Sequence, residues 1–380
     1  MTGKERIART LNREPIDRIP IGFTGIDYDT VERILGHETF WRAKIKSQIA
    51  LWEGRRDEVV QSWKEDGIEL HRRLDILDIV RLGGPCSGLA PPRDYEPEKV
   101  RKVDDSTWEA RDGRVWRVAE ASNEILLVHD PRPDAGVFAH EDPPERPDDS
   151  VFEVVDAMAD ALGDTRYIIG PAGREAGMVG GFTEDTLIAY VTETELMREL
   201  IDRHAEWGAM EDEWNLRPGY DGVFFGVDFS SNQGPLISPE LFRDICLPSI
   251  VKRVRDVKRR GYSVVKHACG NNWKLMDMFV EAGYDAYQGI QISAGMDMAR
   301  LKELYGDRLV LWGGVTVENL VSGEPDDVRA DAARAVRDCT PGGGFIFGTS
   351  HTVAYGTKYD NFMAMLDAFD ELATRGAEGG

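Results

Sequence analysis

The sequence SVVKHACG, residues 263–270, is a short β-branched run that ends at a glycine and carries His267 and Cys269 two positions apart. Such a run predicts a buried strand, and side chains two apart on a strand share one face. Similar apolar runs recur along the chain, with helical segments between most of them. They span residues 19–24, 74–82, 166–173, 221–231, 285–291, 308–315 and 344–351.

Alternation of strands and helices predicts an α/β protein with a parallel sheet, and eight repeats over this length indicate a (β/α)8 TIM barrel. One segment departs from the pattern. Asp112-Gly113 lies between two alternating runs, which predicts a β-hairpin over about 106–132, inserted after the second strand. We therefore expect a single domain over residues 1–372 and a flexible tail over 373–380.

The composition limits the partners. The 380 residues have a formal net charge of −22, which disfavours binding to nucleic acid or to anionic membranes. No apolar stretch is long enough to span a bilayer, and the N-terminus lacks the apolar core of a signal peptide. Four scattered cysteines do not suggest a disulfide framework. We expect a cytoplasmic protein with reduced thiols.

In a barrel of this type the active site lies at the carboxyl ends of the strands, and several runs here end in polar residues. An imidazole and a thiolate on one face, His267 and Cys269, supply two of the three protein ligands that a catalytic zinc needs. His351, at the end of the eighth run, is the candidate for the third. The H-x-C spacing alone leaves metal binding open, because cysteine and hydrogen-bonded histidine are also common in cores.

Other strand-end residues are candidates for chemistry or for substrate binding. Asp228 is a candidate catalytic residue that would complete the metal shell, orient His267 or act on protons, and a loop hydrogen bond is the alternative role. Arg81 would bind an anionic group of the substrate or form an ion pair with Asp78. The remaining candidates for substrate binding are Asp27, Gln233, Gln291 and Trp312.

Six stretches together carry a resemblance to a known family. The chain resembles the uroporphyrinogen decarboxylase-like superfamily, which includes cobamide-dependent methyltransferases, over essentially its whole length. The stretches are ERIARTLNREPIDRIPIGF, LISPELFRDICLPSIVKRV, KHACGNN, DAYQGIQ, LKELYGDRLVLWGGV and GGGFIFGTSHTVAYGTKYDNFMAM.

The resemblance favours the methyltransferase branch. Decarboxylases of this family have an arginine-rich segment after the first strand, whereas this chain reads GFTGIDYDT there, with Asp27 and Asp29 and no arginine. The methyltransferase branch binds zinc through an H-x-C pair at the fifth strand and a further ligand at the eighth. His267 and Cys269 match the pair. The eighth-strand ligand of the thiol methyltransferases is a cysteine, and here His351 stands instead, which puts thiol transfer in doubt.

The resemblance thus implies a zinc-dependent methyltransferase that moves a methyl group between a small methylated substrate and a corrinoid. No D-x-H-x-x-G cobalamin-binding pattern occurs, so the corrinoid (methylcobamide) would arrive on a partner, a corrinoid-binding protein. A homodimer is compatible with the sequence. Two alternatives stay open: a decarboxylase-like lyase that uses Asp75 or Asp78, with His351 as an acid, and a non-catalytic barrel that docks a corrinoid protein.

Overall fold

The computed structural model of the protein describes residues 1–120, 122–131 and 142–373. The strands, in chain order, are β1 (Ile79–Arg81), β2 (Val100–Lys102), β3 (Thr107–Ala110), β4 (Val115–Ala119), β5 (Glu124–His129), β6 (Tyr167–Gly170), β7 (Gly222–Phe225), β8 (Ser230–Ser231), β9 (Gly234–Pro235), β10 (Ser263–His267), β11 (Ala286–Gln288), β12 (Val310–Val315) and β13 (Phe345–Thr349).

Helices follow or separate most of these strands. In chain order they are α1 (Gly3–Leu11), α2 (Tyr28–Leu35), α3 (Lys44–Trp52), α4 (Arg56–Arg73), α5 (Glu153–Leu162), α6 (Glu184–Thr192), α7 (Thr194–Asn215), α8 (Pro239–Leu241), α9 (Leu247–Arg259), α10 (Met276–Ala282), α11 (Met298–Tyr305), α12 (Val317–Ser322), α13 (Pro325–Cys339) and α14 (Tyr359–Ala373). No helix among the described residues is both long and apolar enough to cross a membrane.

Seven strands form a parallel sheet in the order β1, β6, β7, β10, β11, β12, β13. The segment around Ile21 joins the two edges of this sheet. Ile21 forms a parallel bridge with Phe347 on β13, and its carbonyl accepts a hydrogen bond of 2.8 Å from the Asp78 amide, next to β1. The predicted (β/α)8 barrel is confirmed, with the Ile21 segment as its first strand.

The first strand is shorter than predicted. Of residues 19–24, only Ile21 bridges Phe347, because Pro20 has no N–H to donate to a ladder. The fourth predicted strand, 221–231, is also divided. Residues 222–225 lie in the barrel, whereas 230–231 pair with 234–235 in a separate two-stranded hairpin.

The insertion after the second strand is larger than a hairpin. Strands β2, β3, β4 and β5 form an antiparallel sheet in sequence order, which we call the ribbon. The predicted Asp112-Gly113 turn joins β3 to β4, and Gly113 has a φ of 87°, which favours glycine. The indole of Trp52 on α3 packs against Trp108 and Trp116, so the ribbon is attached to the barrel by aromatic contacts.

The predicted extent of the domain, 1–372, stays a prediction. Of the predicted tail, residues 374–380 lie outside the described residues, as do residues 132–141 just after the ribbon. Ala373 is the last residue of α14, and its carbonyl accepts a hydrogen bond from the Ile19 amide.

The barrel interior is filled below the level of the strand ends. Its core includes Ile7 of α1 together with inward-facing residues of the strands, among them Val265 and Trp312. Because Val265 points inward, His267 two residues later does so too, one layer higher. Lys266 between them points to the helices and pairs with Glu175. This alternation places the His267 imidazole at the open end of the barrel.

Candidate metal centre

Three potential metal ligands meet at the carboxyl end of the barrel. The ligand atoms of His267, Cys269 and His351 all lie within 4.8 Å of one another, and the Cys269 Sγ is 3.3 Å from the His267 Nε2. His267 is the last residue of β10, and His351 follows β13 by two residues. Strands that are three places apart in the sheet thus bring their ends together across the barrel mouth.

The His267 ring is oriented by a neighbour on the next strand. Gln288 on β11 is the register partner of His267, and its Oε1 accepts a hydrogen bond from the His267 Nδ1. The other end of the same amide, Nε2, donates to the Thr349 carbonyl at 3.0 Å. Because an amide oxygen can only accept, Nδ1 carries the proton and the lone pair of Nε2 faces Cys269 and His351.

The loop that carries Cys269 is fixed by two further side chains. The Asp228 Oδ1 accepts a hydrogen bond of 2.7 Å from the Cys269 amide, and the Gln291 Oε1 accepts one of 2.9 Å from the Gly270 amide. Gly270 has a φ of 83°, and a Cβ there would lie 2.5 Å from the Ser230 carbonyl. Only glycine fits this turn, so the turn at Gly270 and the two hydrogen bonds fix the backbone next to the Cys269 thiol.

Burial sets the protonation of the three groups. It lowers the pKa of His267 to about 3 and lowers that of His351, so both imidazoles are neutral at pH 7. Burial, with the Asp228 charge nearby, raises the pKa of the Cys269 thiol to about 12. Two neutral imidazoles and a thiol form the nitrogen and sulfur donor set that suits zinc, and a metal would displace the thiol proton. The residues present fit a zinc ion.

A cavity of about 490 Å³ opens beside His267 and His351. It is large enough for a small-molecule substrate, since ligand cavities typically measure about 300–1,000 Å³. Its other lining residues include two aromatic rings and five charged groups. They are Phe224 and Tyr355, and Asp27, Arg42, Lys44, Arg81 and Glu124. Glu124 belongs to the ribbon, so the insertion forms part of the cavity wall.

The structure brings some of the predicted site residues to this cavity and not others. Asp27 and Arg81 line it. The indole of Trp312 is fully buried and donates to the Gly22 carbonyl at 2.9 Å, away from the cavity. Gln291 and Asp228 face the backbone of the Cys269 loop, and Gln233 is exposed in the turn between β8 and β9.

The predicted alternative for Arg81, an ion pair with Asp78, does not form. The Asp78 carboxylate accepts hydrogen bonds from Arg6 and Arg18 and from the Ile21 amide, at the opposite end of β1. Residues 78 and 81 are three apart on an extended segment, so their side chains cannot share one face.

One orienting residue was not assigned from the sequence. Gln288 was visible as a polar residue at a strand end, but its contact with His267 depends on the register of β10 against β11. The available signal was the polar group itself, because a buried amide within a strand requires hydrogen-bond partners.

The chain is similar to known proteins in sequence and in fold. The family model described as Uroporphyrinogen decarboxylase (URO-D) matches residues 132–372. A methyltransferase from Methanosarcina mazei is 19% identical, with a TM-score of 0.64, and the likeness covers 98% of this chain and 99% of that one. A 3-keto-D-glucoside 4-epimerase from E. coli is 15% identical over 57% of this chain and 83% of that one, with a TM-score of only 0.32. No curated protein matches the chain.

The family model covers more than half of the chain, and the methyltransferase has the same fold from one end to the other. The barrel, with its site at the carboxyl ends of the strands, agrees with both findings. The chain belongs to the uroporphyrinogen decarboxylase family.

Proposed function

We propose that the protein is a zinc-dependent methyltransferase that moves a methyl group between a small methylated substrate and a corrinoid carried by a partner protein. The observation that carries the proposal is the convergence of His267, Cys269 and His351 within 4.8 Å beside a cavity of substrate size. Three protein ligands leave a position open for substrate, which is typical of catalytic rather than structural zinc.

The residues around the centre have separate tasks in this proposal. Gln288 holds His267 in the tautomer that presents Nε2, and Asp228 positions the Cys269 backbone. When bound, zinc would act as a Lewis acid that makes a methylated oxygen, nitrogen or sulfur a better leaving group, or that favours the thiolate of a bound thiol. His351 lines the cavity and is the most exposed of the three proposed ligands.

The likeness to the Methanosarcina mazei methyltransferase, over nearly the full length of both chains, supports methyl transfer as the reaction class. The cavity volume of about 490 Å³ is sufficient for a small methylated substrate. The corrinoid is the second substrate in this proposal, and the absence of a D-x-H-x-x-G pattern from the sequence favours its delivery by a separate protein.

The decarboxylase-like lyase is less well supported. Asp78 is 1% exposed and is neutralised by Arg6 and Arg18, and Asp75 does not line the cavity. Asp27 stands in the segment where the decarboxylases have arginines, and its ion pair with Arg42 leaves little positive charge there to bind the many carboxylates of a porphyrinogen. Incubation with uroporphyrinogen should give no coproporphyrinogen by chromatography. Stepwise loss of carboxyl groups at turnover rates would favour the lyase instead.

Metal analysis tests the zinc centre. Mildly purified protein should contain close to one zinc per chain, and both His267→Ala and Cys269→Ser should lose most of it. Matched controls are His37→Ala, an exposed histidine paired with Asp66, and Cys339→Ala, a buried cysteine in α13. Both controls should retain zinc, and full metal content in the two site variants would exclude this centre.

Methyl transfer itself is measured by the visible spectrum of a purified corrinoid protein mixed with the enzyme and a methyl donor. Formation of methylcobamide that depends on Cys269 would support the proposal. A zinc-loaded protein that binds the corrinoid protein but never changes its spectrum, with any methyl donor, would favour the non-catalytic docking barrel.

A further inference from the structure

The charges that line the cavity pair off, with one exception. Arg42 Nη2 lies 2.9 Å from Asp27 Oδ1, and Lys44 Nζ lies 2.7 Å from Glu124 Oε1. Arg81 makes no ion pair with any described residue, since Asp78 is occupied by Arg6 and Arg18. Within the described part of the chain, the cavity wall therefore carries one uncompensated positive charge, and the formal net charge of the chain is −22.

Among the described residues, no neighbouring group supplies a negative charge to Arg81. Its Nη1 donates to the Gly83 carbonyl at 2.8 Å, while its Nε is sealed from solvent and has no partner among the described residues. Burial, with Arg42 nearby, lowers the pKa of Arg81 to about 9. Keeping a cation in such a place costs stability unless a ligand supplies the counter-charge, and groups of this kind mark binding sites.

Arg81 is also placed usefully relative to the metal centre. Its Cζ lies 4.4 Å from the centroid of the Phe224 ring, and that ring stacks on the His267 imidazole with centroids 5.6 Å apart. All three side chains line the cavity. A small molecule whose anionic group binds Arg81 would therefore lie along Phe224, with its other end near the metal ligands.

We infer that the substrate is a small methyl donor that carries an oxyanion group, which Arg81 binds, with the methylated atom at the opposite end of the molecule. This inference rests on the proposed function and names its substrate class. A guanidinium fork matches the two oxygens of a carboxylate. Methylammonium compounds are excluded as substrates, because their charge would meet Arg81 in a site of low dielectric.

Three methoxy-substituted benzenes of different charge test the inference by calorimetry. The anionic 4-methoxybenzoate should bind at least about tenfold more tightly than neutral methoxybenzene or the cationic 4-methoxy-N,N,N-trimethylanilinium ion, as expected for a charge-assisted pair. The anionic 4-methoxybenzenesulfonate shows whether the site accepts oxyanions in general or carboxylates only. Equal binding of the anion and the neutral compound, or a preference for the cation, would overturn the inference.

Variants identify the residue responsible. Arg81→Met should weaken binding of 4-methoxybenzoate by about tenfold to a hundredfold, should leave methoxybenzene unaffected, and should leave the zinc content unchanged. Arg101→Met removes an equal charge from the exposed ribbon, where Arg101 pairs with Glu109, and should have no effect. If Arg81→Met does not fold, Arg81→Lys and the charge series on the unaltered protein still decide the question.

Zinc measured in the same samples separates this inference from the proposed function. Protein that lacks zinc but binds 4-methoxybenzoate through Arg81 would refute the proposed function and still support the anion site at Arg81. Protein that contains zinc but binds the three methoxy compounds with equal affinity would refute the anion site and still support the zinc-dependent methyltransferase.

Discussion

Replacement of Gln288 by methionine tests whether the hydrogen bond to His267 prepares the metal centre. Methionine has nearly the same volume but cannot accept from the His267 Nδ1 or donate to the Thr349 carbonyl, the two bonds that Gln288 makes. Loss of such an outer partner typically costs about tenfold to a hundredfold in metal affinity, or about 1.4–2.7 kcal/mol. We expect zinc affinity to fall by this amount.

The same variant should destabilise the metal-free fold. Two buried polar groups, the His267 Nδ1–H and the Thr349 carbonyl, would lose their partners, at about 1–3 kcal/mol each. Gln288→Glu separates the loss of zinc affinity from the loss of stability. A carboxylate still accepts a hydrogen bond from the His267 Nδ1 and makes the imidazole a more basic ligand, but it cannot donate to the Thr349 carbonyl. This variant should keep the zinc affinity and lose only stability.

Competition of each variant with a chromophoric chelator measures zinc affinity, and urea denaturation after metal removal measures stability. A zinc dissociation constant for Gln288→Met within about twofold of that of the unaltered protein, well below the expected loss, would refute the orienting role. Equal loss of affinity in Gln288→Glu would show that the amide acts through packing rather than through the imidazole proton.

The remaining predictions concern two histidines. If His351 is a metal ligand, His351→Cys should retain zinc and His351→Gln should bind zinc more weakly. If His351 is a general acid, both variants should keep the metal and lose activity. Metal titration with X-ray absorption distinguishes these two roles. Burial lowers the pKa of His71 to about 4, below its unfolded value of about 6.5. Because the unfolded chain then binds the proton more tightly, this group should cost about 2 kcal/mol of stability between pH 8 and pH 5. His71→Phe should flatten that dependence in urea titrations, and an unchanged slope in His71→Phe would contradict the assignment.

The sequence was sufficient for features that depend on short-range periodicity. The proximity of His267 and Cys269, two residues apart, and the position of His351 at the end of an apolar run follow from local pattern alone, although the strand ends at His267 and Cys269 lies in the loop after it. The eight apolar runs likewise predicted the barrel, and the Asp112-Gly113 turn predicted a hairpin that is part of the ribbon. Strand β2 was missed because Val100–Lys102 is mostly charged.

Features that depend on packing between distant segments could not be predicted. Whether the Trp312 side chain faces the cavity or the interior is decided by its hydrogen bond to the Gly22 carbonyl, 290 residues away in sequence. The three-residue spacing of Asp78 and Arg81 already keeps their side chains apart, but the partners that Asp78 has instead come from a distant segment. They are Arg6 of α1 and Arg18 of the loop that follows it. No spacing within one strand records these contacts.

The closure of the barrel between Ile21 and Phe347 has a consequence for synthesis of the protein on the ribosome. The strand that Ile21 completes is separated from its partner by most of the chain, so an emerging polypeptide cannot seal the barrel until β13 has left the exit tunnel. His267 and Cys269 are made well before His351, which arrives two residues after β13. In the proposed zinc centre, a nascent chain would thus offer the metal only two of the three donors, and tight binding of zinc would begin only when the last strand docks.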